Sequence, residues 1–284
     1  MRAKETLIIF IKGLFMGIAD IIPGVSGGTI ALITGIYIRL VHAISGINLR
    51  FISRLVKGDF EGAKKYIGDI DFQLFIPLLT GIGLAVFLMS NLLDYLLQNF
   101  EASTYAFFFG LILASAVLLY KQIKGFSVKI MIFSIAGFLA GFFLSGLATL
   151  QIGHSLPVIF LSGMIAICAM ILPGISGAFM LLFLGMYDYM IDVLKNLQFF
   201  EIFIFILGAL IGILAFSRVL NYILRKYESI TISFLIGLML GALRLLYDNI
   251  ASTMDSIAYV VISGLLGFLI ILILMKFKKR IAAL

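Results

Sequence analysis

The apolar stretches of this chain are interrupted twice by the same glycine-rich break. Pro23-Gly24-Val25-Ser26-Gly27-Gly28-Thr29 returns as Pro173-Gly174-Ile175-Ser176-Gly177-Ala178-Phe179, an offset of 150 residues (173 − 23). The same offset pairs Gly13 with Gly163, Ala19 with Ala169, Gly35 with Gly185 and Tyr37 with Tyr187. A chain broken alike in two corresponding places folds as two related halves. A Gly/Pro interruption in corresponding hydrophobic segments of two halves also points to a binding site near the bilayer midplane.

Composition sets the solvent. The chain has 284 residues, 63% of them hydrophobic and 12% charged, against about 25% charged in a soluble domain. No water-soluble fold of this size buries that much apolar surface, so the chain is an integral membrane protein. Its apolar runs are continuous rather than alternating, which indicates helices and not a barrel. The single Cys168 lies in an apolar run and reads as helix packing, with no disulfide framework. Arg2 and Lys4 precede an apolar run without an A-x-A-like cleavage site, and residues 9–22 belong to the repeat, so the N-terminal segment reads as retained. His42 and His154 lack neighbours at ligand spacing, so neither a metal site nor any cofactor is expected.

Spans are expected at 72–97, 104–121, 130–149, 202–224, 230–247 and 257–275, each near the ~20 helical residues that cross a hydrocarbon core. Regions 7–47 and 157–197 each hold an apolar segment, the Pro-Gly break and a second apolar segment. The segments before the breaks are short, which favours re-entrant hairpins over two full spans each. The repeat continues at an offset of 127 (208 − 81), matching Gly81 with Gly208, Ser90 with Ser217, Leu93 with Leu220 and Gly110 with Gly237. The shift reflects a polar insert near 50–71 in the first half. The expected fold is an all-α polytopic membrane protein with an inverted-topology repeat. Residues 1–150 form one half and 151–284 the other, each a re-entrant Pro-Gly-broken hairpin plus three transmembrane helices. Three is odd, so the second half is inverted relative to the first.

Charge placement agrees. Arg2, Lys4, Arg50, Arg54, Lys57, Lys64, Lys65, Lys121, Lys124, Lys129, Arg225, Lys226, Lys276, Lys278, Lys279 and Arg280 fall on one side of this topology. The opposite connections, 98–103, 150–156 and 248–256, hold Glu101, Asp248 and Asp255 but no Lys or Arg. The positive-inside rule makes the basic side cytoplasmic, with both termini inside a multi-pass cytoplasmic-membrane protein. The net charge of +7 therefore reads as topology and contact with anionic membrane lipids, not as a nucleic-acid footprint.

Within the break, proline ends the incoming half-helix and glycine permits a tight reversal. Ser26, with Thr29 three residues on, is placed to cap the outgoing half-helix and leave amides facing a cavity, an arrangement suited to phosphate. The structural alternative is a pair of tight turns between spans. Arg218 and Arg244 are guanidiniums at expected membrane depth without charged counterparts in the first half, and two such groups make a phosphate clamp. Snorkelling is the alternative for Arg244, and a buried pair with Asp94 or Asp188 for Arg218. Asp20, whose counterpart is Met170, is a candidate for a coupling proton or an arginine partner, with a structural role as a ligand of the helix break as the alternative; Arg39, for which snorkelling is the alternative, and Asp188 join it as coupling or gating candidates. Gly13/Gly17, Gly137/Gly141 and Gly237/Gly241 are small-xxx-small pairs, the pattern of close helix packing.

Gly17-Ile-Ala-Asp-Ile-Ile-Pro-Gly-Val-Ser-Gly-Gly-Thr29 with Gly35-Ile-Tyr37, and Leu172-Pro-Gly-Ile-Ser-Gly177 with Gly185-Met-Tyr187, resemble the polyprenyl-phosphate transporter family of bacteria and archaea. Phe216-Ser-Arg218 and residues 231–241 extend the resemblance over essentially the whole chain. It implies a flippase that returns undecaprenyl phosphate from the outer to the inner leaflet for cell-wall polymer synthesis. Ser26, Gly27, Gly28, Thr29, Ser176, Gly177 and Arg218 would surround the phosphate. An intramembrane polyprenyl-diphosphate phosphatase and a transporter of a soluble anion remain alternatives, and monomer and homo-oligomer both stay open. No His adjoins Ser26 or Ser176, which weighs against the enzyme.

Overall fold

The computed structural model describes residues 3–21, 25–48, 54, 57–121, 123, 125, 127–147, 150, 152–253 and 256–282. Pro23 and Gly24 of the first motif lie outside these, as do Arg2, Arg50, Lys124 and Asp255, and so do the side chains of Ser90 and of residues 274–282. The described residues form thirteen helices and no strand. Six long ones take up the expected spans: α5 (Phe72–Asn99), α6 (Glu101–Tyr120), α7 (Val128–Leu144), α11 (Phe199–Lys226), α12 (Glu228–Thr253) and α13 (Ile257–Ala282). Helix α7 ends five residues before the expected 149, and Gly146 just beyond it makes way for the guanidinium of Arg244. The polar insert carries a short helix, α4 (Phe60–Gly68). Its N-cap, Asp59, accepts from the Gly62 amide at 2.8 Å and pairs with Arg54 at 2.7 Å. The Gly62 amide and then Arg54 hold this carboxyl below its ordinary value.

Each hairpin has three helices rather than two limbs. The first contains α1 (Ala3–Ile21), α2 (Gly27–Ile33) and α3 (Tyr37–Ser45), and the second α8 (Leu156–Ile171), α9 (Gly177–Phe183) and α10 (Tyr187–Lys195). The short helices meet at 118° in the first and 108° in the second. The cause is a helix-ending turn at Gly35 (φ 75°) and Gly185 (φ 66°). There, Ile36 N–H donates to Ala31 O at 3.0 Å and Met186 N–H to Leu181 O at 2.8 Å. Only glycine adopts that backbone region freely.

Helix contacts recur at fixed offsets, and glycines make them. A Cβ on Gly13 would run into Leu78 O, and one on Gly81 into Phe10 O. Likewise Gly163 faces Phe205 O and Gly208 faces Phe160 O, at offsets of 150 and 127 (163 − 13, 208 − 81). Gly17 on Ile82 and Gly212 on Met164 extend the two seams, so α1 runs parallel to α5 and α8 parallel to α11. The last long helices then cross over. Gly110 and Gly267 bring α6 against α13 at Gly264 and Phe107, while Gly237 and Gly137 bring α12 against α7 at Ser134 and Phe234. Even the corners match. Phe100 alone separates α5 from α6 with φ −140° and ψ 44°, and Tyr227 alone separates α11 from α12 with φ −138° and ψ 48°. Thr104 and Thr231 tie these corners, donating to Phe100 O at 2.9 Å and Tyr227 O at 2.8 Å.

The buried core runs through both sets of helices, from Val25, Tyr37 and Leu78 to Leu235, Met239 and Leu246. The outside is apolar as well: Phe87 is 78% exposed and Phe199 74%. Four helices are long and apolar enough on their own to cross a bilayer, and the two bent pairs pass the same test when each is taken together. This is a multi-pass helical membrane protein whose exposed surface is suited to lipid.

The glycine seams set the fold's tolerance. Gly237→Leu drives a side chain into the backbone of α7 and should destabilise by about 1–3 kcal/mol or more. Gly83→Ala meets no atom within 4 Å and should leave stability unchanged or raise it by up to about 1 kcal/mol. Thermal unfolding in detergent separates the two.

Candidate functional site

The two hairpin tips meet. Ser26 and Thr29 are fully buried. Ser26 caps α2 by accepting from the Gly28 amide at 3.1 Å. The same hydroxyl donates across to Leu172 O at 3.2 Å, with Met170 O at 3.4 Å. Thr29 does not act as a cap; its Oγ1 accepts from the Gly174 amide at 2.8 Å. Gly28 lies so close to the other tip that a Cβ would sit 2.6 Å from Ile171 O. Two side chains of the first motif thus satisfy the backbone of the second, and a glycine makes room for it, at the point where a broken helix leaves its own carbonyls and amides unpaired. Gly174, at φ 87°, makes the reversal expected of it and rests on α12, a Cβ there falling 2.8 Å from Met239 Cα.

Asp20 completes the first tip. From the last turn of α1 its carboxylate accepts the Gly27 amide at 2.6 Å, so a charged group stands at the positive end of α2. Gly27 is glycine for the same reason, since a Cβ would lie 2.5 Å from Asp20 Oδ2. In this state the first amides of α2 therefore already have partners. The second tip is plainer. Ser176 is 5% exposed and makes no side-chain cap bond, and Gly177 packs against Ala166 O.

The remaining sequence candidates sit elsewhere. Arg218 is exposed on α11, with Nη2 donating to Ile47 O at 3.0 Å. Neither Asp94 nor Asp188 pairs with it among the described residues; Asp94 accepts from Gln98 at 2.9 Å. Arg244 lies over the Phe142 ring at 4.5 Å, donates to Phe142 O at 3.1 Å and has Asp248 3.6 Å away. Among the described residues, neither guanidinium is bonded to a tip. Arg39 clamps α3, its Nε 3.0 Å from Asp71 and its Nη1 3.2 Å from Glu5. Asp71 also caps α5 through the Leu74 amide. Asp188 is exposed in the first turn of α10. Sequence reasoning missed the acceptors at 170–172 and the Gly174 donor, which are backbone atoms. The available signal was that Asp20, Gly28 and Thr29 have no like counterpart in the second copy.

These features define a multi-pass helical membrane protein in which two broken hairpins meet tip to tip. The chain belongs to the undecaprenyl phosphate translocase-like (VCA0040-like) family, whose model matches residues 16–260. It is 40% identical over 242 residues to a polyprenyl-phosphate transporter of Vibrio cholerae serotype O1, covering 85% of this chain and 78% of the relative. A polyprenyl-phosphate transporter of Staphylococcus aureus is 32% identical over 285 residues, 94% of this chain and 95% of the relative. No solved structure matches.

Removing the tip bonds one at a time should be measurable. Thr29→Val leaves the Gly174 amide buried without a partner and should lower stability by about 1–3 kcal/mol, whereas Thr29→Ser keeps the acceptor and most of the stability. Gly27→Ala should destabilise strongly, and less so when combined with Asp20→Ala, because the added methyl collides with that carboxylate. Additive losses in this double-mutant cycle would contradict the contact.

Proposed function

We propose that this protein carries a polyprenyl phosphate, undecaprenyl phosphate in particular, between the leaflets of the cytoplasmic membrane. Movement from outer to inner leaflet returns the used carrier to cell-wall polymer synthesis. The observation that carries the reading is family membership along almost the whole chain, with relatives named for this substrate. The two halves, 1–150 and 151–284, are inverted repeats. Support comes from the paired glycine contacts and the two single-residue corners at matching offsets. Both termini lie in the cytoplasm, supported by the clustering of Lys and Arg on that side; Lys195, at the end of α10, is an exception. Hairpin one then enters from the cytoplasm and hairpin two from outside, and their joined tips lie near the midplane.

As the tips part, Ser26, Gly27, Gly28 and Thr29 on one side and Ser176 and Gly177 on the other exchange their present partners for the phosphate, with Arg218 reaching it as the halves rearrange. Arg218 supports this role because one bond to Ile47 O leaves most of its five N–H donors free. Arg244, tied to Phe142 and Asp248, acts nearer the membrane surface. An anion site inside the bilayer suits a lipid whose charged head must cross while its tail stays in hydrocarbon. A phosphatase is the weaker reading, because Asp20 is committed to the Gly27 amide and is poorly placed as a general base.

Labelled polyprenyl phosphate in proteoliposomes tests the proposal. Wild type should accelerate leaflet exchange, with no release of inorganic phosphate and no uptake of soluble phosphate. Arg218→Ala should slow exchange by roughly tenfold or more, the equivalent of about 1.5–3 kcal/mol for a charged hydrogen bond. Arg218→Lys should fall between. Exchange no faster than in protein-free vesicles overturns the assignment.

A further inference from the structure

The last helices of the two hairpins, α3 and α10, are counterparts that sit differently. Each is anchored near its start to its own set of helices. Arg39 holds α3 to the heads of α1 and α5, and 150 residues on, Tyr189 stacks on His154 ahead of α8 with ring centroids 4.0 Å apart. Helix α3 goes further and packs against α11. Arg218 bonds Ile47 O there, and Arg225 Nη2 lies 2.8 Å from His42 Nδ1. The buried face of α3, Tyr37 and Val41, shares one cluster with Leu220 and Leu224 of α11. Helix α10 instead buries Met190 and Val193 in a separate cluster with Ile159 and Leu184 of its own hairpin. Among the described residues no packing of comparable extent joins α10 to α5.

The unmatched surface on α5 has the right chemistry. At an offset of 127, Arg218 corresponds to Asn91 (218 − 127) and Arg225 to Gln98 (225 − 127). With Asp94 between them they form one helical stripe, exposed near the end of a largely apolar helix. At an offset of 150, His42 corresponds to Asp192 and Ile47 to Leu197. The donor and acceptor senses carry over: an amide N–H of Gln98 can donate to the Asp192 carboxylate, and one of Asn91 to Leu197 O. Gln98 now bonds Asp94 on its own helix instead. Glycines at positive φ, Gly35 and Gly185, join each latch helix to its tip. Leu197, at the root of α10, is held at φ 50°, a region that bulky side chains seldom occupy.

We propose that α3 and α10 are alternating latches: here α3 is shut on α11 while α10 stands open, and in the opposite state α10 closes on α5 through Gln98–Asp192 and Asn91–Leu197 O while α3 lets go. The proposal rests on the inverted-repeat reading, which makes α3 the cytoplasmic latch and α10 the outer one. Two states in exchange respond as one equilibrium, so weakening either latch closes the other.

Paired cysteines in a Cys168→Ser background, in membrane vesicles with a short bifunctional thiol reagent, test it. Gln98→Cys with Asp192→Cys should cross-link within one chain, as should His42→Cys with Arg225→Cys, and either cross-link should stop lipid movement. Adding His42→Ala to the Gln98/Asp192 pair should raise its yield severalfold. The proposal is overturned if that pair fails to cross-link with and without His42→Ala while both cysteines react with a monofunctional maleimide. The topology is checked separately with a membrane-impermeant maleimide: His42→Cys should react from the cytoplasmic side and Asp192→Cys from outside. Reaction of both from one side sinks the inverted repeat itself, a different failure. A test independent of latch cysteines is Gln98→Lys, which faces Asp192 with a charge and should reduce labelling of Asp94→Cys from outside severalfold; unchanged labelling contradicts the latch.

Discussion

Two helices broken in the buried interior create the demand that organises this protein. A break in a helix leaves amides and carbonyls without helical partners, and each such group buried unsatisfied costs several kcal/mol. The first tip meets that demand for both. Ser26 donates to Leu172 O, Thr29 receives the Gly174 amide, and Gly28 clears the space that lets the backbones approach. Asp20 closes the remaining end at Gly27. One motif is the gripping surface and the other supplies the backbone gripped.

Around that joint, the helices are held by seams in which glycine brings backbone against backbone. Such seams suit a membrane interior, where lipid is as apolar as the side chains and close van der Waals fit must drive association. The crossed pairs, α6 with α13 and α7 with α12, tie the two sets of helices together. Besides the tips, the hairpins' last helices differ in what they touch.

Much of this was legible in the residues. The duplicated motif announced two broken hairpins, the apolar runs located the six long helices with ends up to seven residues off, and the small-xxx-small glycines fell on real seams, such as Gly137 on Phe234. Other features left little trace. The fold at Gly35 and Gly185 hid because α2 and α9 have seven residues each, too few for periodicity to show. The tip bonds run to carbonyls and amides that every residue carries, so sequence could name Thr29 as a polar group but not Gly174 N as its partner. The same blindness applies to Arg218, whose partner here is a carbonyl rather than a carboxylate. What sequence did carry was the asymmetry: Asp20, Gly28 and Thr29 occur in one copy because only one tip does the gripping.

The joint itself can be tested in the membrane. Cysteines at Ser26 and Leu172, in a Cys168→Ser background, bring thiols to the two sides of the contact between the hairpins. Tip-to-tip packing predicts an intramolecular disulfide under mild oxidation, independent of protein dilution, and loss of polyprenyl-phosphate movement until the bond is reduced. Absence of that disulfide, or a bridged protein that still moves the lipid at the wild-type rate, would contradict the account.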